Sequence, residues 1–221
     1  MPSTDRHIDV PLYSVGDVAR YLALPPSTVR SWIAGGSRFR PVIEPVGEDP
    51  WVLSFRNLVE VFVLSSLRRK HGVRLPAVRQ AIDYMRKKFR AKHPLTDNSF
   101  FTDGHDVFVE HYGRLISVSE DGQLAMKDVL TRYLSRVDKE DGMPVRLFPL
   151  STDRLDGPKI VAIDPEIVFG QPCIVGTRIP TAIIAERYKA GDRIADLALD
   201  YGCEPDKVEE AVRYEFPGRA A

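Results

Sequence analysis

The chain has 221 residues, with 31 Lys and Arg against 31 Asp and Glu, 43 % hydrophobic residues, 9 % aromatic residues and two cysteines. That mixture excludes a disordered, collagen-like or disulfide-scaffold chain and leaves a folded protein of one large domain or two to three small ones. The zero net charge is a cancellation: up to His93 there are 16 basic and 8 acidic residues, a balance of +8, and the remainder carries −8. A basic front on an acidic back points to a polyanion partner for the first part and something else for the second.

Cys173 and Cys203 form no CxxC pair, so both read as small buried hydrophobes and not as zinc or redox ligands. No run approaches the ~18 apolar residues of a membrane span, and the longest, Val59 to Leu64, is interrupted by Glu60. The opening residues, Met1 to Arg6, lack the apolar stretch of a signal peptide. The expectation is a cytoplasmic protein, not associated with a membrane, in which free thiols are stable.

In chain order, Val15, Val18, Ala19 and Leu22 make one apolar face of a short helix, and Ser14 with Asp17 forms a capping-box start. Leu24-Pro25-Pro26 stops it, and Pro26 suits the first position of a second helix over Ser27 to Ala34, ended by Gly35-Gly36. The pair has a helix-turn-helix outline. Phe39 to Ile43 and Trp51 to Leu53, separated by turn formers, predict a hairpin wing. Asn57 to Lys70 reads as a helix apolar nearly all round, hence central, ended by Gly72. Leu75, Val78, Ile82, Met85 and Phe89 then form a narrow stripe, either core or a dimer seam, on a helix whose far face holds Arg79, Arg86 and Lys87.

Between Pro94 and Pro158 the pattern predicts short strands around Phe100-Phe101, Val107 to Val109 and Leu115 to Val118, then a helix from Gln123 to Val137 and a strand near Val145 to Leu150. His93, His105 and His111 have no ligand-like spacing, so no metal site is expected. The last segment opens with Ile160 to Ile163, passes through a Gly- and Pro-rich loop to Pro180, and ends in helices over Thr181 to Lys189, Arg193 to Tyr201 and Pro205 to Phe216, with Gly191 and Gly202 as stops. Asp196, Asp200, Glu204, Asp206, Glu209 and Glu210 make the exposed faces of the last two acidic and unsuited to DNA. Gly170 to Arg178 lacks the spacing and lysine of a phosphate loop; Arg178 is expected to tie that loop to a carboxylate, with Asp164 as partner.

The expected fold is therefore mainly α, with some α+β character. It comprises a winged helix-turn-helix domain over 1–93, a small α/β middle region over 94–158 and a helical module over 159–221. On the second helix Val29, Trp32 and Ile33 face inward, which leaves Ser27, Thr28, Arg30 and Ser31 outward. Arg can grip guanine with two hydrogen bonds and Ser or Thr can reach phosphates, while Arg38 and Arg40 on the wing could follow the flanking backbone. No nucleophile elbow, paired helix-face histidines or other catalytic constellation occurs, so neither an enzyme nor a cofactor is expected.

Tyr13 to Ala19 through Ser27-Thr28-Val29-Arg30-Ser31-Trp32, followed by a wing, resembles the winged helix-turn-helix of the MerR-like superfamily, which implies DNA binding. Ile163 to Pro180, followed by helices with Ala190-Gly191-Asp192, resembles a short prokaryotic domain once of unknown function whose members recur as antitoxins beside PIN-domain ribonucleases. The two in one chain are similar to the longer VapB-like antitoxins of VapBC-type pairs. This implies an antitoxin that represses its own operon as a homodimer on operator DNA and neutralises a PIN-domain ribonuclease toxin. The alternatives are a free-standing MerR-like regulator without a toxin and a structural adaptor with no DNA role. A PIN-type ribonuclease holds a metal with acidic residues, so the implied toxin-binding group is Arg213 and Arg219 with Tyr214 and Phe216 as anchors; the alternative is that these aromatics only close the helical core.

Overall fold

The computed structural model describes residues 7–36, 39–71, 74–152 and 155–216. These residues are mainly helical, with small antiparallel sheets. Strand β1 (Tyr13–Ser14) leads into α1 (Val15–Tyr21), where Ser14 accepts from the Asp17 amide and the Asp17 carboxylate accepts from the Ser14 amide, the expected capping box. Helix α2 (Pro26–Ile33) starts on a proline at its first turn and buries Val29, Trp32 and Ile33.

The hairpin forms with its second strand where expected, at Trp51–Leu53, and its first strand from different residues. Strand β2 (Gly47–Glu48) pairs with β3 (Trp51–Leu53), and β1 adds to the far side of β3. Phe39 to Ile43 is not a strand: Pro41 and Pro45 interrupt any ladder, Val42 and Ile43 sink into the core, and the Ile43 amide donates to the Trp32 carbonyl at 3.1 Å.

Helix α3 (Phe55–His71) runs through the middle of the core with Leu58 to Leu64 almost wholly buried. Its polar residues are matched: the Asn57 amide group donates to the Glu44 carbonyl and to Glu60, and Glu60 faces His93 at 3.2 Å. Helix α4 (Leu75–Phe89) buries Val78, Ile82 and Met85 in the same core, so the apolar stripe is packed within the chain and is not an open dimer seam.

The strands expected across 100–118 are absent. A π-helical turn (Phe100–Gly104) runs directly into α5 (His105–Leu115). His105, Phe108, Val109 and Tyr112 recur at helical intervals and are all buried; aromatic and β-branched residues there imitate a strand locally while the longer period is 3.6. Helix α6 (Glu120–Leu134) is capped by Ser119 and ends before the hairpin of β4 (Val137–Glu140) and β5 (Met143–Leu147). One apolar core extends from Ile8 to Ile163, shared by the helices before and after residue 93.

The chain then crosses to its C-terminal part through residues 148–158, where the guanidinium of Arg136 donates to the carbonyls of Phe148, Pro149, Leu155, Gly157 and Pro158 at 2.8–3.3 Å. Strand β6 (Val161–Ala162) pairs with β7 (Cys173–Ile174), and Leu147 and Ile163 exchange two backbone hydrogen bonds, which join this sheet to β5. Helices α7 (Thr181–Ala190), α8 (Ile194–Tyr201) and α9 (Pro205–Glu215) succeed it close to their expected bounds. Gly191 and Gly202 end the first two with φ of 112° and 61°, the left-handed cap that favours glycine. Ile174, Ile184, Leu197, Val208 and Ala211 form a second, smaller core. No helix among the described residues is long and apolar enough to cross a membrane.

Cys173 is buried as expected, and burial pushes its thiol up to about 11, whereas Cys203 is only partly buried against the second core. At pH 8 an alkylating reagent should therefore label Cys203 in the folded protein and both cysteines only in denaturant, because the thiolate is the nucleophile. Equal labelling of Cys173 by peptide mass spectrometry would refute this placement. Replacing Arg136 with Met should lower stability by about 2 kcal/mol or more, since buried carbonyls lose their donors; the urea midpoint reads this directly.

Candidate functional site

Helix α2 presents two faces with different chemistry. Val29, Trp32 and Ile33 are at most 1 % exposed and lie on α1 and the central core. Ser27 and Arg30 are exposed, and Thr28 and Ser31 are half-buried beside them. The Ser31 hydroxyl donates to the Thr28 carbonyl at 2.7 Å, which fixes its rotamer and leaves its oxygen lone pairs as acceptors. Of the four side chains expected to point outward, Ser27 and Arg30 do so, and Thr28 and Ser31 border the same face with part of their surface covered. Arg40 is exposed on the loop after α2, and Arg38 lies outside the described residues.

This face is supported from behind by α1, and α1 in turn rests on the C-terminal helices. The Tyr214 hydroxyl donates to the Tyr21 carbonyl at 2.8 Å, and burial, more than any neighbouring charge, drives its phenol far above the ordinary value. The Tyr13 hydroxyl donates to the Gly170 carbonyl at 3.1 Å, and burial likewise raises that phenol. Glu215 accepts from Thr181 at 2.5 Å and pairs with Arg20 at 3.4 Å. Tyr214 is therefore a link between modules and not an exposed anchor; its aromatic ring is drawn inward by the same α9 periodicity that buries Val208 and Ala211.

The other residues of the expected toxin-binding group are arranged differently. Arg213 is half-buried and held by Glu209 and Glu210 at 2.6 and 2.7 Å. Glu210 does not belong to the exposed acidic face: it is buried and accepts from the Ser151 hydroxyl and from Arg213. Phe216 borders a cavity of about 440 Å³ between α7 and α9, with Tyr188, Ile194 and Val212 among its walls. Arg219 lies outside the described residues. The expected Arg178–Asp164 pair is replaced by another: Arg178 is exposed, and Asp164 accepts from Arg146 at 2.9 Å and from the Glu166 amide at 3.0 Å. Sequence separation misleads here, because β5 brings Arg146 alongside the loop from a different element.

The comparisons with known proteins bear on both ends of this arrangement. A family described as a protein of unknown function, DUF433, matches residues 161–214, the β6-to-α9 module. A Mycobacterium tuberculosis (strain ATCC 25618 / H37Rv) protein named "Putative antitoxin VapB45" is 28 % identical, over 92 % of this chain and 93 % of its own. A second protein of the same organism, named "Uncharacterized protein Rv2308", is also 28 % identical, over 97 % of this chain and 94 % of its own. The crystal structure of Rv2018 from Mycobacterium tuberculosis has the same fold: TM-score 0.72 at 24 % identity, covering 94 % of this chain and 99 % of that one. The likeness spans both parts of the chain, so the pairing of the helical front with the C-terminal module is shared.

One surface feature has no signal in the sequence. Val168 and Phe169 both adopt positive φ, 47° and 53°, and the Phe169 ring is 83 % exposed. Two successive left-handed residues cost about 1–2 kcal/mol each, so the loop must be held by its surroundings. Gly170 supplies part of that hold: a Cβ there would stand 2.1 Å from the Tyr13 hydroxyl, and its φ is 69°. Gly170→Ala should cost about 1–3 kcal/mol, and adding Tyr13→Phe should recover part of it by removing the colliding oxygen. Additive losses in the double-mutant cycle, measured by thermal melting, would show that the two residues do not meet.

Proposed function

We propose that the protein is a cytoplasmic DNA-binding antitoxin. In this reading α1 and α2 are a helix-turn-helix with the β2–β3 hairpin as its wing, α2 enters the major groove of operator DNA, and the C-terminal module neutralises a PIN-domain ribonuclease toxin. The chain acts by binding and carries no reaction of its own. The observation that carries the DNA half is the outward face of α2, on which Ser27, Thr28, Arg30 and Ser31 share one side of a helix whose other side is wholly buried. A relative named as an antitoxin over nearly its full length supports the toxin half.

A lone short helix makes few base contacts, so specific binding calls for two copies on a palindrome with recognition helices about one turn of DNA apart. Because the α4 stripe is packed inside each chain, the homodimer contact is assigned to the C-terminal module. Toxin capture is assigned to the end of α9 and the tail: Phe216 beside its cavity, Arg213 exchanging its intrachain carboxylates for those of the toxin, and Arg219 beyond.

The test is operator binding and toxin capture by the full chain. Arg30→Ala should cost about 1–3 kcal/mol on the operator and relax sequence preference, while Arg40→Ala should weaken all duplexes alike. Co-expression with an adjacent PIN-domain ribonuclease should yield a co-purifying, inactive complex, and cutting the chain after Phe216 should reduce inhibition by removing Arg219. Operator binding without any ribonuclease partner would favour the free-standing regulator instead.

A further inference from the structure

An open cleft of about 700 Å³ lies between the loop after α2 and the outer face of α4. The loop supplies Gly36, Phe39 and Arg40, and α4 supplies Arg79, Arg86 and Lys87 with a single acid, Asp83. Residues 79, 83, 86 and 87 share one side of α4 because they recur at intervals of three and four, opposite Val78, Ile82 and Met85 in the core.

The loop is shaped to complete this cleft. Gly36 and Phe39 exchange backbone hydrogen bonds at 3.0 and 3.3 Å, and a Cβ on Gly36 would meet the Phe39 ring at 2.9 Å. Glycine thus lets the ring fold back, where the Arg79 guanidinium lies 4.0 Å from its centroid. Arg86 reaches Asp83 and Glu44 at 3.2 and 3.3 Å. The Nε atoms of both Arg79 and Arg86 are buried and meet no acceptor among the described residues. An unmatched buried donor on a guanidinium is costly, and an anion placed against the same guanidinium offsets that cost through its charge. Arg86 is met by two carboxylates, as Arg187 and Arg213 are in the C-terminal module, whereas Arg79 meets no carboxylate among the described residues and rests on the Phe39 ring.

We infer that this cleft binds a backbone phosphate of duplex DNA, as a sequence-independent clamp beside the segment contacted by α2. The inference rests on the DNA-binding reading above. Duplex DNA is the occupant because the loop that builds the cleft is the direct continuation of α2, so a strand tracked by Arg30 passes next to Arg40 and the cations of α4. A phosphodiester supplies the negative charge that Arg79, Arg40 and Lys87 face across the cleft with only Asp83 to offset them.

The experiment titrates the full chain into a labelled random-sequence duplex and into duplex from its own promoter, by fluorescence anisotropy over a salt series, for the unaltered protein, Lys87→Gln, Arg79→Gln and Arg30→Ala. Lys87→Gln and Arg79→Gln should each weaken both duplexes by the same several-fold factor and reduce the slope of log K against log salt by about 0.9. Arg30→Ala should instead weaken the promoter duplex more than the random one. Lys87 is exposed on its helix, so its variant keeps the fold, as thermal melting will verify. Unchanged affinity and slope in both cleft variants, alongside a lost preference in Arg30→Ala, would overturn the clamp and leave the DNA reading standing. A loss confined to Arg79→Gln with a lowered melting temperature would also overturn it. If inorganic phosphate at constant ionic strength binds the unaltered protein but not Lys87→Gln, while duplex affinity is equal in both, the cleft serves a free anion and the clamp fails. Absence of any duplex binding by the unaltered protein at low salt would overturn the DNA reading and the clamp together.

Discussion

Arg136 leaves the end of α6 as the chain enters β4 and turns its guanidinium into a segment that has not yet been reached in sequence, residues 148–158. Five carbonyls converge on it, and its own carbonyl accepts from the Phe148 amide at 2.9 Å. Burial lowers the affinity of this guanidinium for its proton, partly offset by the negative charge of Glu210. Desolvating such an ion costs several kcal/mol, which a fan of charge-assisted hydrogen bonds can recover. Pro149 and Pro158 have no amide proton and cannot donate to a ladder, so the carbonyls beside them depend on a side-chain donor. A side chain takes the part that a sheet would otherwise play, and it anchors the crossing to the C-terminal module at the end of α6.

The C-terminal module beyond that segment is set against α1. Tyr214 on α9 and Gly170 in the β6–β7 loop meet Tyr21 and Tyr13, and Glu215 gathers Thr181 and Arg20. Buried phenols that each satisfy a carbonyl are directional, so they fix orientation as well as contact. Helix α1 therefore stands between α2, against which it packs on one side, and the C-terminal helices on the other. The support of the α2 face and the docking of the module are one structural problem.

Local chemistry is legible in the sequence wherever it acts alone. The Ser14–Asp17 box, the proline opening α2 and the glycines ending α7 and α8 are each decided within four residues, and the structure has all of them. The outward placement of Ser27 and Arg30 comes from the same short-range periodicity. Residues 100–118 mislead because strand-prone side chains occupy a helical stripe that only the buried set His105, Phe108, Val109 and Tyr112 exposes. The first strand of the expected hairpin is misplaced because Val42 and Ile43 look like a strand but are claimed by the core beneath Trp32. The hydrogen-bond partners of Arg136, Arg146 and Tyr214 cannot be assigned from sequence, since they lie 12 to 193 positions away and are mostly backbone carbonyls. The acidic run on α9 conceals one member, Glu210, whose burial depends on Ser151 from the crossing segment.

The docking of the module on α1 limits how the two proposed activities can influence each other. A partner seated at the end of α9 would lie one helical turn or less from Tyr214 and Glu215, whose contacts hold α1. It can shift α2 only by as much as its affinity differs between the docked and a displaced arrangement of those residues, and DNA on α2 must shift its affinity by the same factor in return. A partner that leaves Tyr214 on the Tyr21 carbonyl would therefore bind independently of DNA, and both could be held at once. A partner that needs the Tyr214 ring, or the Glu215 carboxylate now shared by Thr181 and Arg20, would compete with the support of α1. Because Tyr214 is buried, the less costly route is the first, through Phe216, the cavity beside it and Arg213, whose exchange of carboxylates leaves Tyr214 in place.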